Sequence, residues 1–291
     1  MTDARSSGAD AACALPAAGA VFDLRLHGVR GSLPMATASV ARYGGATICI
    51  ELRVAGRVLI FDAGSGIHPA GQALRAEGMR EIDLFLSHWH YDHTIGLPFF
   101  APLYCPETRL TLWSGHAATG PARELLAGLM RAPYFPVGPE VFRATLETRD
   151  FDPPETFDLA PGLRIRTLAL NHPGSATAYR VEAGGRALCI VTDVEHVPGV
   201  LDPAVTAFVA GADLMLYDSM YDDGDMCSHC GFGHSSWQQA LRIARAAGVG
   251  RVGFVHHAPF RTDDALDAIA TAAATEFPGA FVARQGMRIA L

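Results

Sequence analysis

Residue types that bind metal ions are concentrated between positions 87 and 93 of the sequence. Three histidines and one aspartate fall within six residues, directly after an apolar run typical of a buried strand. At the end of a strand, His88 and His90 point to the same side and can bind one ion together. After the chain turns, Asp92 and His93 can face a neighbouring position. Imidazole nitrogen and carboxylate oxygen suit Zn²⁺, and less exclusively iron or manganese, so the segment predicts a metal site.

Three further apolar runs also end in residues of these types. They lead to His172, to Asp193 and to the adjacent pair His256-His257. A single histidine at the end of a strand usually has a structural role. Four strand ends that all carry ligand types favour a shared metal site instead. Adjacent side chains on a strand point in opposite directions, so one histidine of the last pair is expected to bind and the other to pack.

The elements that must position these residues are short strands separated by a few helices. The strand-like runs are rich in Val, Ile, Leu and Phe and are bounded by Gly, Pro or Asp. They cover 22–27, 46–54, 57–62, 82–87, 109–113, 163–170, 177–182, 186–192, 213–218, 251–256 and 287–291. Helical segments are predicted at 70–77, 121–131, 236–247 and 264–276. The mixture of hairpins and crossovers indicates an α/β or α+β layered fold rather than a purely parallel sheet.

One pattern occurs twice along the chain. A turn with glycine at 54–57 joins two strands, and the second strand ends at Asp62. A similar turn at 183–186 joins two strands, and the second of these ends at Asp193. Two similar halves would place both acids at one edge of a sandwich, although hairpins with glycine turns are common in many sheets.

The composition favours one folded domain. The 291 residues are 49% hydrophobic and 18% charged, which supports a buried core and argues against wholesale disorder. No apolar run reaches the ~18 residues of a membrane span, and residues 1–20 lack the pattern of a secretory signal. We therefore expect a cytoplasmic protein without membrane contacts, with a flexible tail at 1–20 and a single domain at 21–291. The stretch 132–162, rich in proline and aromatic residues, is expected to be an insertion or lid.

The charge balance and the cysteines restrict the partners. A formal net charge of −7 disfavours a broad surface for long nucleic acids, which need clustered Lys and Arg. It does not exclude a small anionic substrate, because bound metal ions supply local positive charge. Cys227 and Cys230 have the spacing of half a structural zinc site, but no second pair completes it. Reduced thiols in a loop are the preferred interpretation.

The combined pattern resembles the metallo-β-lactamase superfamily over roughly residues 22–291. Its first part, the H-x-H-x-D-H motif at 88–93, is highly specific. The ligand order resembles the ribonuclease Z, glyoxalase II and phosphodiesterase branches, which have Asp where true lactamases have Cys. The resemblance implies a four-layer αββα sandwich with two metal ions per chain, taken as two Zn²⁺, with iron or manganese as alternatives.

The same resemblance implies a role for each candidate ligand. One metal would be bound by His88, His90 and His172, the other by Asp92, His93 and His256, and Asp193 would bridge the two. His256 is preferred to His257 because the segment 256–259 is similar to the His-Phe-Ser-Pro segment of ribonuclease Z. Asp62 resembles the superfamily's structural acid, which braces the histidine loop and is not a ligand.

The resemblance also implies hydrolysis by a hydroxide that bridges the metals, with Asp92 orienting it or accepting its proton. The segment Gly233-His234-Ser235-Ser236 precedes the helix predicted at 236–247 and resembles the His-Ser-Thr motif of ribonuclease Z. In that family the histidine assists phosphoryl transfer, so we interpret His234 as a proton donor or oxyanion stabiliser. The alternative is that His234 is simply a neighbour of the helix N-cap.

The expected substrate is a small phosphodiester, such as a cyclic nucleotide or a short nucleotide diester. The sequence lacks the long Gly/Pro-rich arm with which ribonuclease Z holds tRNA, and the chain is acidic, so extended nucleic acid is not expected. Arg30 is a candidate contact for a substrate phosphate, although ion pairing is at least as common a role. Tyr134 and Phe135 are candidates for an aromatic wall, although such residues more often pack in a core.

Other functions are compatible with the same ligands. A glyoxalase II-like or lactonase-like hydrolase of carboxylic esters, thioesters, lactones or amides is the main alternative, because its ligands are almost the same. A non-catalytic metal-binding or sensing protein would be expected to have a broken ligand set, whereas the set in this chain is complete. A homodimer is left open.

Overall fold

A computed structural model describes residues 21–291, and the tail expected at 1–20 lies outside the described residues. The strands are β1 (Phe22–Gly28), β2 (Cys49–Val54), β3 (Arg57–Phe61), β4 (Glu81–Leu86), β5 (Arg109–Ser114), β6 (Thr145–Asp150), β7 (Thr156–Ala160), β8 (Leu163–Leu170), β9 (Ala176–Ala183), β10 (Arg186–Val191), β11 (Leu214–Asp218), β12 (Arg251–Val255), β13 (Ala280–Val282) and β14 (Arg288–Ala290). The α-helices are α1 (Ile67–Ala76), α2 (Tyr91–Thr94), α3 (Ala122–Leu129), α4 (Pro203–Phe208), α5 (Trp237–Ala247) and α6 (Asp263–Glu276). No helix in this part of the chain is long and apolar enough to cross a membrane.

The strands form two mixed sheets that repeat one arrangement. Their orders are β14-β1-β2-β3-β4-β5-β6 and β13-β12-β11-β10-β9-β8-β7. In the first sheet the β2–β3 hairpin leads into parallel strands β3 to β6. In the second sheet the β9–β10 hairpin leads into parallel strands β10 to β13. Left-handed backbone at Ala55-Gly56 and Gly184-Gly185 makes both hairpin turns, so the repeated pattern seen in the sequence corresponds to repeated structure.

One layer of the hydrophobic core lies between the two sheets, and a further layer lies between each sheet and the helices on its outer face. These layers follow the alternation of side chains along each strand. In β3, Leu59 and Phe61 pack against the second sheet, while Val58 and Ile60 pack beneath the helices. Helices α1 and α3 cover the outer face of the first sheet, and α4, α5 and α6 cover that of the second. The four-layer αββα sandwich is therefore confirmed. Apolar residues on both strand faces explain the continuous hydrophobic runs in the sequence.

The segment 132–162 differs from the expected insertion or lid. From residue 145 it contains β6 and β7, which are edge strands of the first and second sheet. Exposed and half-buried residues alternate along both strands, as they do in polar edge strands. Because few of these residues are apolar, the sequence pattern did not predict the two strands. Residues 132–144 are the longest part of this segment outside the sheets, so the lid hypothesis is restricted to them.

Candidate metal centre

The predicted ligand residues meet at one edge of the sandwich, where strands of both sheets end. His88 follows β4, His172 follows β8, Asp193 follows β10 and His256 follows β12. Parallel neighbours deliver their carboxyl ends to the same edge, which is where ligands bind in parallel sheets. The backbone of Asp193 (φ 53°) and of His256 (φ 60°) is left-handed, so the chain turns sharply as it leaves each strand. Such conformations in residues other than glycine are concentrated at functional sites.

A first group of ligand atoms consists of three histidines. The ring nitrogens of His88, His90 and His172 can be chosen so that all lie within 4.8 Å of one another. His90 Nδ1 is 3.1 Å from His172 Nε2. His88 and His172 are buried, whereas His90 is exposed and forms the open side of the group.

A second group contains the remaining ligands of the 88–93 motif and one residue from the other sheet. His256 Nε2 lies 3.1 Å from His93 Nε2 and 3.1 Å from Asp92 Oδ2. The backbone N–H of Ser32 donates to the same Asp92 oxygen at 2.7 Å and orients it. All three side chains of this group are buried.

Asp193 lies between the two groups, and each of its oxygens faces one of them. Its Oδ2 is 3.7 Å from the Nε2 atoms of both His88 and His172. Its Oδ1 is 3.2 Å from the Nε2 atoms of both His93 and His256. A carboxylate in this position can bind one ion through each oxygen.

The donor set fits two metal ions. Ligand atoms around a tetrahedral Zn²⁺ with bonds of about 2.0–2.1 Å are about 3.4 Å apart, close to the separations seen here. His88 Nε2 and Asp193 Oδ1 are buried without a hydrogen-bond partner among the described residues, which is costly unless a cation binds there. Burial lowers the pKa of His88, His90 and His172, and so favours the neutral imidazoles that bind metals.

Residues behind the ligands hold them in place. Asp62 accepts hydrogen bonds from the backbone N–H of Ser87 at 2.7 Å and from His93 Nδ1 at 2.9 Å, so His93 presents Nε2 to the site. The adjacent His257 points elsewhere and donates from Nε2 to the carbonyl of Ala283 at 2.8 Å. Burial lowers the pKa of His257 to about 3 and keeps it neutral. The structure therefore brings His256, and not His257, to the other ligands.

His234 lies beside the candidate metal ligands and is held by a carboxylate that we did not predict. Its Nδ1 donates to Asp218 Oδ2 at 3.0 Å and lies 3.9 Å from Asp193 Oδ2. Asp218 is fully buried and also accepts backbone N–H groups from Val194 and Met220. Burial alone would lower the pKa of His234, but the Asp218 carboxylate outweighs it and raises the pKa to about 9. Asp218 ends an apolar strand, as the predicted ligands do, and that pattern could have revealed it.

The residues predicted to contact substrate have other partners. Arg30 is fully buried, and its guanidinium donates to the carbonyls of Gly44, Ala258 and Arg261, so the predicted phosphate contact is replaced by a structural role. Phe135 packs against Phe99 at a ring-centroid distance of 5.8 Å and against the core beneath the first helix layer.

Tyr134 is 79% exposed, which leaves its predicted role in an aromatic wall as a hypothesis. The thiols of Cys227 and Cys230 are exposed and free. Within residues 21–291, no group of candidate metal ligands includes either of them.

The arrangement has counterparts among known proteins. A family profile described as the beta-lactamase superfamily domain matches residues 57–257, which include every predicted ligand. The chain belongs to the metallo-β-lactamase superfamily. As a member of this superfamily it is a metal-dependent hydrolase.

Individual members of the superfamily are similar to this chain over most of its length. Ribonuclease Z of Thermoplasma acidophilum is 24% identical over 257 residues, which cover 71% of this chain and 79% of that protein. The metallo-beta-lactamase fold protein YhfI of Bacillus subtilis superposes on this chain with a TM-score of 0.70 at 21% identity. The match covers 93% of this chain and 99% of YhfI. A diphosphatase from the PhnP family superposes with a TM-score of 0.66 at 18% identity. That match covers 92% of this chain and 97% of the diphosphatase. These structural similarities identify the fold.

Proposed function

We propose that this superfamily member hydrolyses a small phosphodiester at a centre of two metal ions, assigned as Zn²⁺. The proposed ligands of one ion are His88, His90 and His172, those of the other are Asp92, His93 and His256, and Asp193 is shared. When bound, the ions would activate water and polarise a substrate oxygen. The chain's own residues orient the proposed ligands from behind and bury most of them, and His234 lies beside Asp193.

The pair of His234 and Asp218 is the observation that carries the proposal. The hydrogen bond to Asp218 fixes a proton on Nδ1 and leaves Nε2 as the ring nitrogen available to a substrate. Because the carboxylate stabilises the imidazolium, His234 can donate a proton to a leaving oxygen or stabilise its negative charge. A phosphodiester needs this help more than a neutral ester, because it is already anionic and gains charge on its oxygens during attack.

Extended nucleic acid is a second candidate substrate, because the relative in Thermoplasma acidophilum is named a ribonuclease Z. The expectation that this chain does not bind extended nucleic acid therefore needs a direct test. The positive charge of this chain is carried by arginine alone, since the sequence contains no lysine. Near the site, Arg30 binds carbonyls, Arg42 pairs with Asp264 and Arg261 pairs with Asp222. Arginines that are already paired favour a small diester over a long phosphate backbone.

The test is a substrate panel on the zinc-loaded protein. The panel contains bis(4-nitrophenyl) phosphate, a cyclic nucleotide, a precursor tRNA, a lactone and a thioester. Turnover of the small diesters without turnover of the lactone and thioester is the expected result. Turnover of the lactone or thioester alone would contradict the proposal and support the carboxylic-ester alternative. Efficient cleavage of the precursor tRNA alone would support the second candidate.

A variant of His234 tests the role that carries the proposal. His234→Ala is expected to keep the wild-type metal content and to lower kcat by about 10²–10⁴-fold, the usual contribution of a positioned proton donor. His68→Ala is the matched control, since His68 is an exposed histidine on α1. An unchanged kcat in His234→Ala would remove this residue from the mechanism.

A further inference from the structure

We propose that Phe232, with the rings packed behind it, forms a platform on which a flat group of the substrate, such as a nucleobase, stacks beside the metal centre. The platform is defined by Tyr221, His229 and Phe232 in the loop between β11 and α5. The inference rests on the proposed phosphodiesterase function and deepens it, because it assigns the substrate an aromatic group next to its phosphate.

The rings of the platform form a continuous series from the site to the surface. Tyr221 is buried and lies 6.0 Å from the His234 ring, measured between centroids. His229 stacks on Tyr221 at 4.3 Å with an interplanar angle of 26°. Phe232 meets His229 edge-on at 5.5 Å. The Phe232 ring is thus supported from behind, yet 59% of this residue remains exposed.

The loop that carries Phe232 is tied down on both sides of it. The carboxylate of Glu195 accepts the backbone N–H of Gly231 and that of Gly233, both at 2.8 Å. The backbone N–H of Phe232 itself donates to the carbonyl of His229 at 3.2 Å. An exposed aromatic ring on such a fixed loop loses little conformational freedom when a ligand covers it, so binding there costs less entropy.

The loop that carries the platform contacts one of the proposed metal ligands. His172 Nδ1 donates to the carbonyl of Gly233 at 2.8 Å. The contact is tight, since a Cβ on Gly233 would lie 2.1 Å from that same nitrogen. Phe232 immediately precedes Gly233, and their Cα atoms are about 3.8 Å apart. The backbone next to Phe232 therefore lies against His172, and the proposal places the nucleoside portion of the diester on this side of the metal centre.

The chemistry of the platform selects flat groups without selecting one base. Its exposed member is an uncharged aromatic ring, and every nucleobase has a π-face that can stack on such a ring. A purely aliphatic ester group has no such face. The platform is therefore expected to discriminate between nucleoside and alkyl diesters and to tolerate different bases.

The experiment compares two diesters with the same leaving group, thymidine 5′-(4-nitrophenyl phosphate) and methyl 4-nitrophenyl phosphate. For Phe232→Ala, the ratio of kcat/KM for the thymidine diester to that for the methyl diester is expected to fall about tenfold, a modest value for base stacking. Phe260→Ala is the matched control, because Phe260 is also a strongly exposed phenylalanine, at 72%. It is expected to keep the wild-type ratio. An unchanged ratio in Phe232→Ala, or an equal fall in both variants, would overturn the platform.

A binding measurement separates failure of the platform from failure of the proposed function. Thymidine 5′-monophosphate is titrated into the zinc-loaded wild-type protein and into Phe232→Ala by calorimetry. If the wild-type protein hydrolyses neither diester, the proposed function fails. Weaker nucleotide binding by Phe232→Ala would then still support the platform, whereas equal or absent binding in both proteins would overturn it.

Discussion

Gly31→Ala is expected to displace the His256 imidazole and to weaken the second metal position. A Cβ built on Gly31 would lie 2.2 Å from His256 Cε1 and 2.3 Å from its Nδ1, although ordinary contact begins at 3.4 Å. The ring must therefore move by about 1 Å, because the backbone of Gly31 is held by its hydrogen bond to the His257 carbonyl. Zinc–ligand distances tolerate only about 0.2 Å, so a shift of this size breaks the bond.

The assay is metal content after zinc loading, combined with thermal unfolding. Gly31→Ala is expected to bind about one equivalent of zinc fewer than the wild-type protein and to lose about 1–3 kcal/mol of unfolding free energy through overpacking. Gly128→Ala is the matched control, since a Cβ there meets nothing within 4 Å. In the background of His256→Ala, the same change at Gly31 should cost little stability. Full zinc content in Gly31→Ala would refute the assignment of His256 as a ligand held against Gly31.

Three further predictions concern the ligands and their support. Asp193→Ala should sharply lower both metal content and activity, because its two oxygens face both ligand groups, and two retained equivalents by metal analysis would contradict the bridging role. His256→Ala should lose more metal than His257→Ala, which should mainly lower the melting temperature because His257 packs against the Ala283 carbonyl. If His257→Ala caused the greater loss of metal, His257 and not His256 would be the ligand. Asp218→Asn should keep the metals but slow turnover about 10–100-fold, as loss of an orienting partner commonly does, because a neutral amide no longer stabilises the His234 imidazolium. Wild-type kcat in that variant would show that the pair of Asp218 and His234 is not needed.

Much of the centre could be predicted because its signals are local. The spacing of histidine and aspartate at 88–93 is a property of one strand end, and it is visible without knowledge of the rest of the chain. The other strand ends could be predicted for the same reason, since the parallel strands β10 and β12 are nearly continuous apolar runs and the antiparallel strand β8 is long and rich in Leu and Ile. Their meeting at one edge followed from the resemblance to a known sandwich and from the repeated hairpin, both of which the structure bears out.

Edge strands and the shortest elements were harder to predict than the longer helices. β6 and β7 have one solvated face and few apolar residues, so their pattern resembled that of a loop. Helix α4 has six residues, and the strand β13 has three, which is too short for a clear period. These elements are stabilised by the sheets and helices they pack against rather than by their own sequence.

The sequence by itself determined the type of chemistry, because the residue types of the candidate ligands and the short distances between them along the chain are local properties. Only the tertiary structure decided which distant residues support the candidate ligands. It paired His234 with Asp218, directed the His257 ring to the Ala283 carbonyl, and buried Arg30 among carbonyls. These outcomes depend on how the two sheets pack and on the direction in which the backbone leaves each strand. No local sequence pattern encodes that geometry. The candidate metal ligands could therefore be proposed from sequence and resemblance, whereas the partner Asp218 and the rings beside the centre could not.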